Sequence, residues 1–433
     1  MNRTFSSLGI RNYRLWFAGA VVSNIGTWMQ RIAQDWVVLT VLTDNSGFAV
    51  GVTTALQFLP FLLIGPWTGV LADRVDHRKL LLVTQVVGAA LSVGLGAIVL
   101  SGHAQLWHVY AFALGLGFMT AFDNPARQAF VSDLVPASHL SNAVGLNSAS
   151  FNAARLIGPG LAGLLIAWIG SGWVFLLNGF TFLATIIALL LMRSDEFERQ
   201  RRAPRGPGQV LEGVRYVRSR PDIIAILVVV GVVGMLGLNF QLTSAMMARV
   251  EFGRGPGEYG VLGSILAIGS LGGALLAARR RQPTLKLVVI AAFGFGAANS
   301  LLALMPTFWT FAIAGIPVGF AALTMITAAN ATVQTTTEPS MRGRVLALYM
   351  MVFMGTTPIG SPIVGWVGEQ YGPRWAIGIG AIASLIVATA VGLWSARRWN
   401  VVLELQVRRP FVRFGRGLAP EAEPIADIET TQT

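Results

Sequence analysis

Residues 69–80 read GVLADRVDHRKL. Within a dozen positions the chain packs an acid–base pair and a basic cluster, and on either side it is apolar. A bilayer core about 30 Å thick needs roughly 20 residues of apolar helix. The run 47–72 before this corner and the run 79–101 after it both meet that length. Working outward at the same scale gives twelve predicted spans: 13–41, 47–72, 79–101, 106–126, 140–168, 172–192, 223–248, 258–279, 284–304, 308–334, 344–369 and 374–396. Composition agrees. Of 433 residues, 54% are hydrophobic and 12% charged, with a mean hydropathy of +0.63, whereas a soluble domain is about one quarter charged. An all-α membrane protein follows.

The net charge of +12 would suit nucleic acid if it were clustered on a soluble face, but its distribution gives a different answer. Arg31, Arg127 and Arg155 fall within or at the ends of spans, and Arg249, Arg254 and Arg374 fall in loops of one parity. All the other basic residues lie in the termini and the loops of opposite parity. The positive-inside rule assigns that side to the cytoplasm, so both termini are predicted cytoplasmic in a cell (inner) membrane protein, and no nucleic-acid partner is expected. The first apolar run is too long for a cleaved signal peptide. There are no cysteines and four histidines, without metal-ligand spacing. No phosphate-binding Gly-x-x-x-x-Gly-Lys loop occurs. No metal, cofactor or enzymatic activity is expected.

A shift of 202 residues lays Phe151 on Phe353, Ile157 on Ile359, Gly158 on Gly360, Gly163 on Gly365, Gly170 on Gly372 and Trp173 on Trp375, and brings His77-Arg78-Lys79 onto Arg279-Arg280-Arg281. One offset serving separate regions implies two six-span copies in parallel, an arrangement associated with a substrate path between the halves. A duplicated scaffold without transport is the plainer alternative. The predicted division is a six-helix bundle over 1–192, a linker over 193–222, a second bundle over 223–398 and a tail over 399–433. Val210, Val214 and Val217 give the linker an amphipathic helix at the membrane surface. The last 15 or so residues are expected to be disordered.

The corner at 69–80 resembles the signature loop of the major facilitator superfamily, with Gly69, Leu71, Ala72, Asp73, Arg74, Arg78 and Lys79 on the pattern and Asp76 and His77 off it. An acid at a helix end needs a partner. The start of the eleventh span, with Arg342 and Arg344, offers positive charge and a helix N-terminus. An Asp73 bridge there would latch the halves together on the cytoplasmic side. An ordinary charged loop is the competing explanation.

Ionisable residues within spans are costly and are functional candidates. Arg31 and Asp35 share a helix face and are expected to pair, with Asp35 as proton carrier and Arg31 and Arg155 controlling its charge; a static ion pair explains the spacing equally well. Arg155 is expected to act as a counter-ion for Asp35 or as a contact for an anionic or oxygen-rich substrate. Asp123 and Arg127 form a second pair. Trp28, Phe58, Phe240, Met246 and Met350 are candidate cavity walls, although packing accounts for most such side chains. The run Gly158-Pro159-Gly160-Leu161-Ala162-Gly163 resembles the antiporter motif of drug-exporting members of the superfamily, and close helix packing explains it as well. The segments QRIAQDW, NPARQAF, NSASFNAARLIGP and RGRVLALYMMVF resemble the branch with enterobactin-type and macrolide exporters. The resemblance implies two pseudo-symmetric six-helix bundles in a monomer that exports drug-like or siderophore-like small molecules by alternating access with proton antiport. A proton-independent uptake carrier or facilitator of the same fold is the alternative.

Overall fold

A computed structural model describes residues 3–198, 209–278, 284–398, 401–405 and 412–416. The chain is almost wholly helical. The N-terminal part holds α1 (Arg11–Val37), α2 (Gly47–Arg74), α3 (His77–Leu100), α4 (Leu106–Leu134), α5 (Ala137–Ile169) and α6 (Ser171–Leu191). A short α7 (Gln209–Arg218) follows. The later part holds α8 (Pro221–Leu236), α9 (Phe240–Met246), α10 (Pro256–Ala278), α11 (Leu285–Leu304), α12 (Phe308–Thr336), α13 (Arg342–Gly355), α14 (Thr357–Tyr371) and α15 (Pro373–Arg398). Two short strands, β1 (Val401–Leu405) and β2 (Val412–Arg416), pair antiparallel after them.

Among the described residues, ten helical segments are long and apolar enough to cross a membrane. Two further helices have the length, α1 with 27 residues and α4 with 29. They are more polar: α1 buries Gln30, Gln34 and Asp35, and α4 buries Asp123. The predicted spans match these helices closely, with two breaks that periodicity does not reveal. The segment predicted at 223–248 stops at Gly237 and resumes at Phe240, and Asn239 closes the gap by donating its side-chain amide to the Met235 carbonyl at 2.9 Å. The segment predicted at 344–369 is interrupted at Thr356, just ahead of Pro358, whose ring removes a helical N–H donor. In the linker, α7 has Val217 buried and Val214 half-buried. The side chain of Val210, the basic corner 279–281 and the last 15 residues lie outside the described part.

The repeat has a backbone counterpart. Gly170 and Gly372 both adopt positive φ, +85° and +98°, and each turns the chain between consecutive long helices. That region of backbone space favours glycine, so the same residue recurs at the same offset for the same reason.

Within the N-terminal part, α1 packs on α5 and α6, α2 on α4, and α3 on α4 and α6; later in the chain, α10 packs on α12, and α11 on α12 and α15. The main seams joining the two parts are α2 against α14 and α5 against α10. In lipid, apolar burial gives little drive for helix association, so close backbone approach has to supply it. A Cβ built on Gly365 would lie 2.2 Å from the Gly47 carbonyl oxygen, and one on Gly51 would lie 2.3 Å from that of Ser361. In the other seam, a Cβ on Gly260 would lie 2.4 Å from the Pro159 oxygen and one on Gly163 2.5 Å from that of Pro256. Nearer the opposite ends of the same helices, a Cβ on Gly65 or Gly145 meets nothing within 4 Å. Both seams are therefore tight where α2 and α10 begin and looser where α2 ends and α5 begins.

A side chain at position 365 should force the α2–α14 seam apart. The chain has no cysteine, so a Ser361→Cys reporter, replacing a fully buried hydroxyl bonded to the Gly51 carbonyl at 2.9 Å, can be labelled without background. Gly365→Val is expected to speed its reaction with a membrane-impermeant maleimide several-fold. An unchanged rate would mean that this contact does not hold the face closed.

Candidate functional site

Gln30, Arg31, Gln34 and Asp35 cluster near the C-terminal end of α1, where i,i+4 spacing puts Gln30 with Gln34 and Arg31 with Asp35 on shared faces. Asp35 is 5% exposed. The expected close pairing with Arg31 is not formed: no ion pair to Asp35 occurs within 4 Å among the described residues, although Asp35 lies in the field of Arg31. Its hydrogen bond comes from the other part of the chain, where the Tyr259 hydroxyl of α10 lies 3.4 Å from Asp35 Oδ2 and 3.2 Å from the Gln241 carbonyl. The Tyr259 ring stacks on Trp36 at 5.9 Å between centroids. Tyr259 adjoins Gly260, so this tie sits beside the tight α5–α10 seam.

Arg31 turns its guanidinium to aromatic faces, 5.2 Å from the Trp28 ring centre and 5.7 Å from that of Phe58. Arg155 of α5 approaches the same Trp28 ring at 5.7 Å. A cation over a desolvated ring gains about 2 kcal/mol. Of the two roles expected for Arg155, the geometry does not provide the counter-ion to Asp35; Arg155 shares an aromatic partner with Arg31 instead. Trp28 is also packed by Gly158, whose Cβ would lie 2.5 Å from that of Trp28. Pro159 and Gly163 of the same run face Gly260 and Pro256 of α10. The glycine-proline run thus joins α5 both to α1 and to α10.

Arg31 also lines a narrow cleft, with Gln30, Gln57, Phe58, Phe61 and Asn178 among its walls. At its base, Gln30 Oε1 accepts from the Ser92 hydroxyl at 2.6 Å and from the Asn178 amide. Of the other expected cavity residues, Phe240 lines a smaller cleft in the later part of the chain. Met246 is buried against Gly47 and Gly368, and Met350 is exposed.

The pair Asp123–Arg127 is formed, and its surroundings are structural. The 5% exposed Asp123 also accepts from Thr84 and Gln85 of α3, each at 2.7 Å. Arg127 lies over Trp16 at 5.4 Å. This cluster ties α3, α4 and α1 together.

At the 69–80 corner, Asp76 accepts from the Lys79 backbone N–H at 3.0 Å and caps α3, and His77 meets Asp133 at 2.5 Å. The two residues off the signature pattern therefore hold the corner. Arg78 donates to the Leu189 and Leu190 carbonyls at 2.9 and 3.3 Å. Gly69 and the side chain of Asp73 lie outside the described part, and Arg74 is engaged in contacts of its own. Arg344 pairs with Glu212 of α7 at 2.5 Å, while Arg342 is exposed.

A contact at the other end of α2 escapes the sequence reading. Glu369 of α14 accepts from the Ser46 hydroxyl at 2.6 Å and from the Phe48 backbone N–H at 3.0 Å. A carboxylate at a helix N-terminus satisfies otherwise unpaired donors. Here it comes from α14, so one hydrogen-bonded cap bridges the seam. Tyr259, Gln30 and Asn178 were also missed. The rule used for charges inside spans extends to amides and would have found Gln30 and Asn178. A tyrosine near a span end looks like an interfacial aromatic and gives no such signal.

The chain matches the transmembrane secretion effector family over residues 2–411. The staphyloferrin A transporter of Staphylococcus aureus is 23% identical, covering 90% of this chain and 98% of that protein. The enterobactin exporter EntS of Shigella boydii is 25% identical over 81% of this chain and 83% of that protein. The transporter YfiS of Bacillus subtilis is 26% identical, and the match spans 61% of this chain and 63% of that relative's length. Among solved structures, a bacterial homologue of the lysosomal transporter Spinster, inward-facing, superposes with a TM-score of 0.67 at 18% identity over 89% of this chain and 97% of that one. The nucleoside transporter NupG gives 0.69 at 11% identity over 88% and 99%. These likenesses carry the fold.

Removing one partner of a buried ion pair costs about 3 kcal/mol. Asp123→Asn should therefore lower the thermal unfolding midpoint in detergent. The double variant Asp123→Asn/Arg127→Gln should recover part of the loss, because no unpaired charge remains. A single variant as stable as the parent would remove the structural role.

Proposed function

The chain belongs to the transmembrane secretion effector family of major facilitator transporters, and from that premise we propose that it exports drug-like or siderophore-like small molecules by alternating access, driven by proton antiport. Twelve spans form two six-helix bundles, α1–α6 and α8–α15, in the cell membrane with both termini cytoplasmic, and the carrier works as a monomer. The ten apolar segments together with the long helices α1 and α4 support this count. Export is supported by the relative named an enterobactin exporter. The tight seams lie at the extracellular end and the loose ends face the cytoplasm, an inward-facing arrangement.

One observation carries the coupling. Asp35 is a buried carboxylate whose hydrogen-bond donor, Tyr259, belongs to the other bundle. Rocking the bundles apart removes that donor, so the proton affinity of Asp35 changes with the state of the carrier. Arg31 and Arg155 set the local field. When the cytoplasmic side closes, Asp73, Arg74 and Arg78 meet the start of α13, and Arg344 exchanges Glu212 for the first-bundle acid.

An accumulation screen across drugs and siderophores, in cells with and without the protein, supplies a transported compound. In proteoliposomes, each unit of pH gradient then contributes about 1.4 kcal/mol per proton. An imposed gradient should accelerate uphill movement of that compound, and Asp35→Asn should abolish the acceleration while leaving downhill exchange. Transport indifferent to the gradient in both proteins would replace antiport by a proton-independent carrier.

A further inference from the structure

The cleft in the first bundle is lined by two side chains whose N–H donors lack hydrogen-bond partners among the described residues, Gln30 and Arg31. Gln30 is 3% exposed. Its carbonyl oxygen is already held by Ser92 and Asn178, and Asn178 is steadied by its own contacts to Thr181. That leaves Nε2, an N–H donor that is fully buried and has no acceptor. A buried donor without a partner is costly, and the amide cannot rotate to escape it without breaking the bonds at Oε1. The next residue, Arg31, brings N–H donors to the same cleft. Its guanidinium is held by ring faces on Trp28 and Phe58, and it makes no hydrogen bond or ion pair among the described residues. The remaining walls are the apolar Phe58, Phe61, Leu116, Met119 and Phe182, with Thr27, Gln57 and Thr120 between them.

Resting on the transport reading above, we propose that this cleft is the substrate's recognition subsite and that it selects an acceptor oxygen (carbonyl, carboxylate or phenolate) carried on an aromatic or other apolar body. Gln30 Nε2 and Arg31 are the two donors, and Phe58 and Phe61 hold the body. An alkylammonium group is repelled by Arg31, and the Gln30 oxygen is occupied. The cleft is narrow, so the acceptor end of the ligand enters it and the rest lies in the space between the bundles. Ser92 and Asn178 are positioning residues: they touch Gln30 and orient its donor.

Two xanthene dyes of similar size separate the classes. Fluorescein carries carboxylate and phenolate oxygens, and rhodamine 6G carries a delocalised ammonium charge. Binding of each to the purified full chain in detergent is read by fluorescence anisotropy, independently of transport. Fluorescein is expected to bind at least tenfold more tightly than rhodamine 6G. Gln30→Leu and Arg31→Met should each weaken fluorescein about tenfold without strengthening rhodamine 6G beyond the parent's affinity for fluorescein. Asn178→Ala should weaken it less, and Gln30→Glu, which replaces the donor by an acceptor, should weaken it as much as Gln30→Leu. Thermal unfolding of each variant confirms that it is folded, and Gln334→Leu, altering an exposed amide of α12 outside the cleft, controls for general disturbance. Equal or tighter binding of rhodamine 6G, no fluorescein binding, or fluorescein binding indifferent to Gln30 and Arg31 overturns the proposal. Selective dye binding in a protein that moves no compound in the accumulation screen would leave the subsite standing and remove the transport reading instead.

Discussion

Helices in hydrocarbon gain little from hiding apolar surface from one another, so the two parts of this chain meet where backbones touch. The Gly47–Gly365 and Gly163–Gly260 contacts bring main-chain atoms of α2 and α14, and of α5 and α10, to van der Waals distance. Much else follows from that closeness. Glu369 can reach the first turn of α2 only because α14 lies against it, and Tyr259 can reach Asp35 only because Gly260 lets α10 press on α5. Such seams are strong in close packing yet hold few directional bonds.

Polar groups in the interior divide by whether their partners are all present. Asp123 has Thr84, Gln85 and Arg127 within one cluster, and it braces helices of the same bundle. Arg31, Arg155 and Gln30 Nε2 have rings or nothing as neighbours, and Asp35 has a single hydroxyl from across the seam. Charge at depth is therefore of two kinds in α1–α6. The closed cluster on α3 and α4 has its partners in place, while the open cluster on α1 and α5 leaves donors without acceptors among the described residues.

Much of this was legible in the sequence because the governing periods are local. Span length follows from bilayer thickness, and the offset joining Gly170 to Gly372 anticipates two turns with the same backbone conformation. The Asp123–Arg127 pair was readable from helical spacing. The Arg31–Asp35 pair has the same spacing, and there the inference failed. Spacing places two side chains on one face, but it does not know that Trp28 and Phe58 will offer the guanidinium a competing seat. The breaks at Gly237 and Thr356 were hidden inside continuous apolar runs. Glu369 and Tyr259 were unreadable for a deeper reason: their partners, Ser46 and Asp35, lie 323 and 224 residues away, and only the tertiary packing brings them together.

The location of Asp35 has a consequence for how a carrier of this design would use it. Asp35 is near the end of α1 that leads into the tight seam, and its donor sits one residue from the glycine that makes that seam possible. In the proposed cycle, closing the extracellular face supplies the Tyr259 hydroxyl and opening it withdraws that hydroxyl and admits water. Any change in the proton affinity of Asp35 between the two states must be matched by an equal effect of protonation on the balance between them, since binding and conformation are reciprocally linked. No dedicated relay is required. In the proposed cycle, a carboxylate whose hydrogen bond crosses the seam would couple proton binding to rocking by its position alone, and the glycines that let the seam close would be as much a part of that coupling as the acid itself.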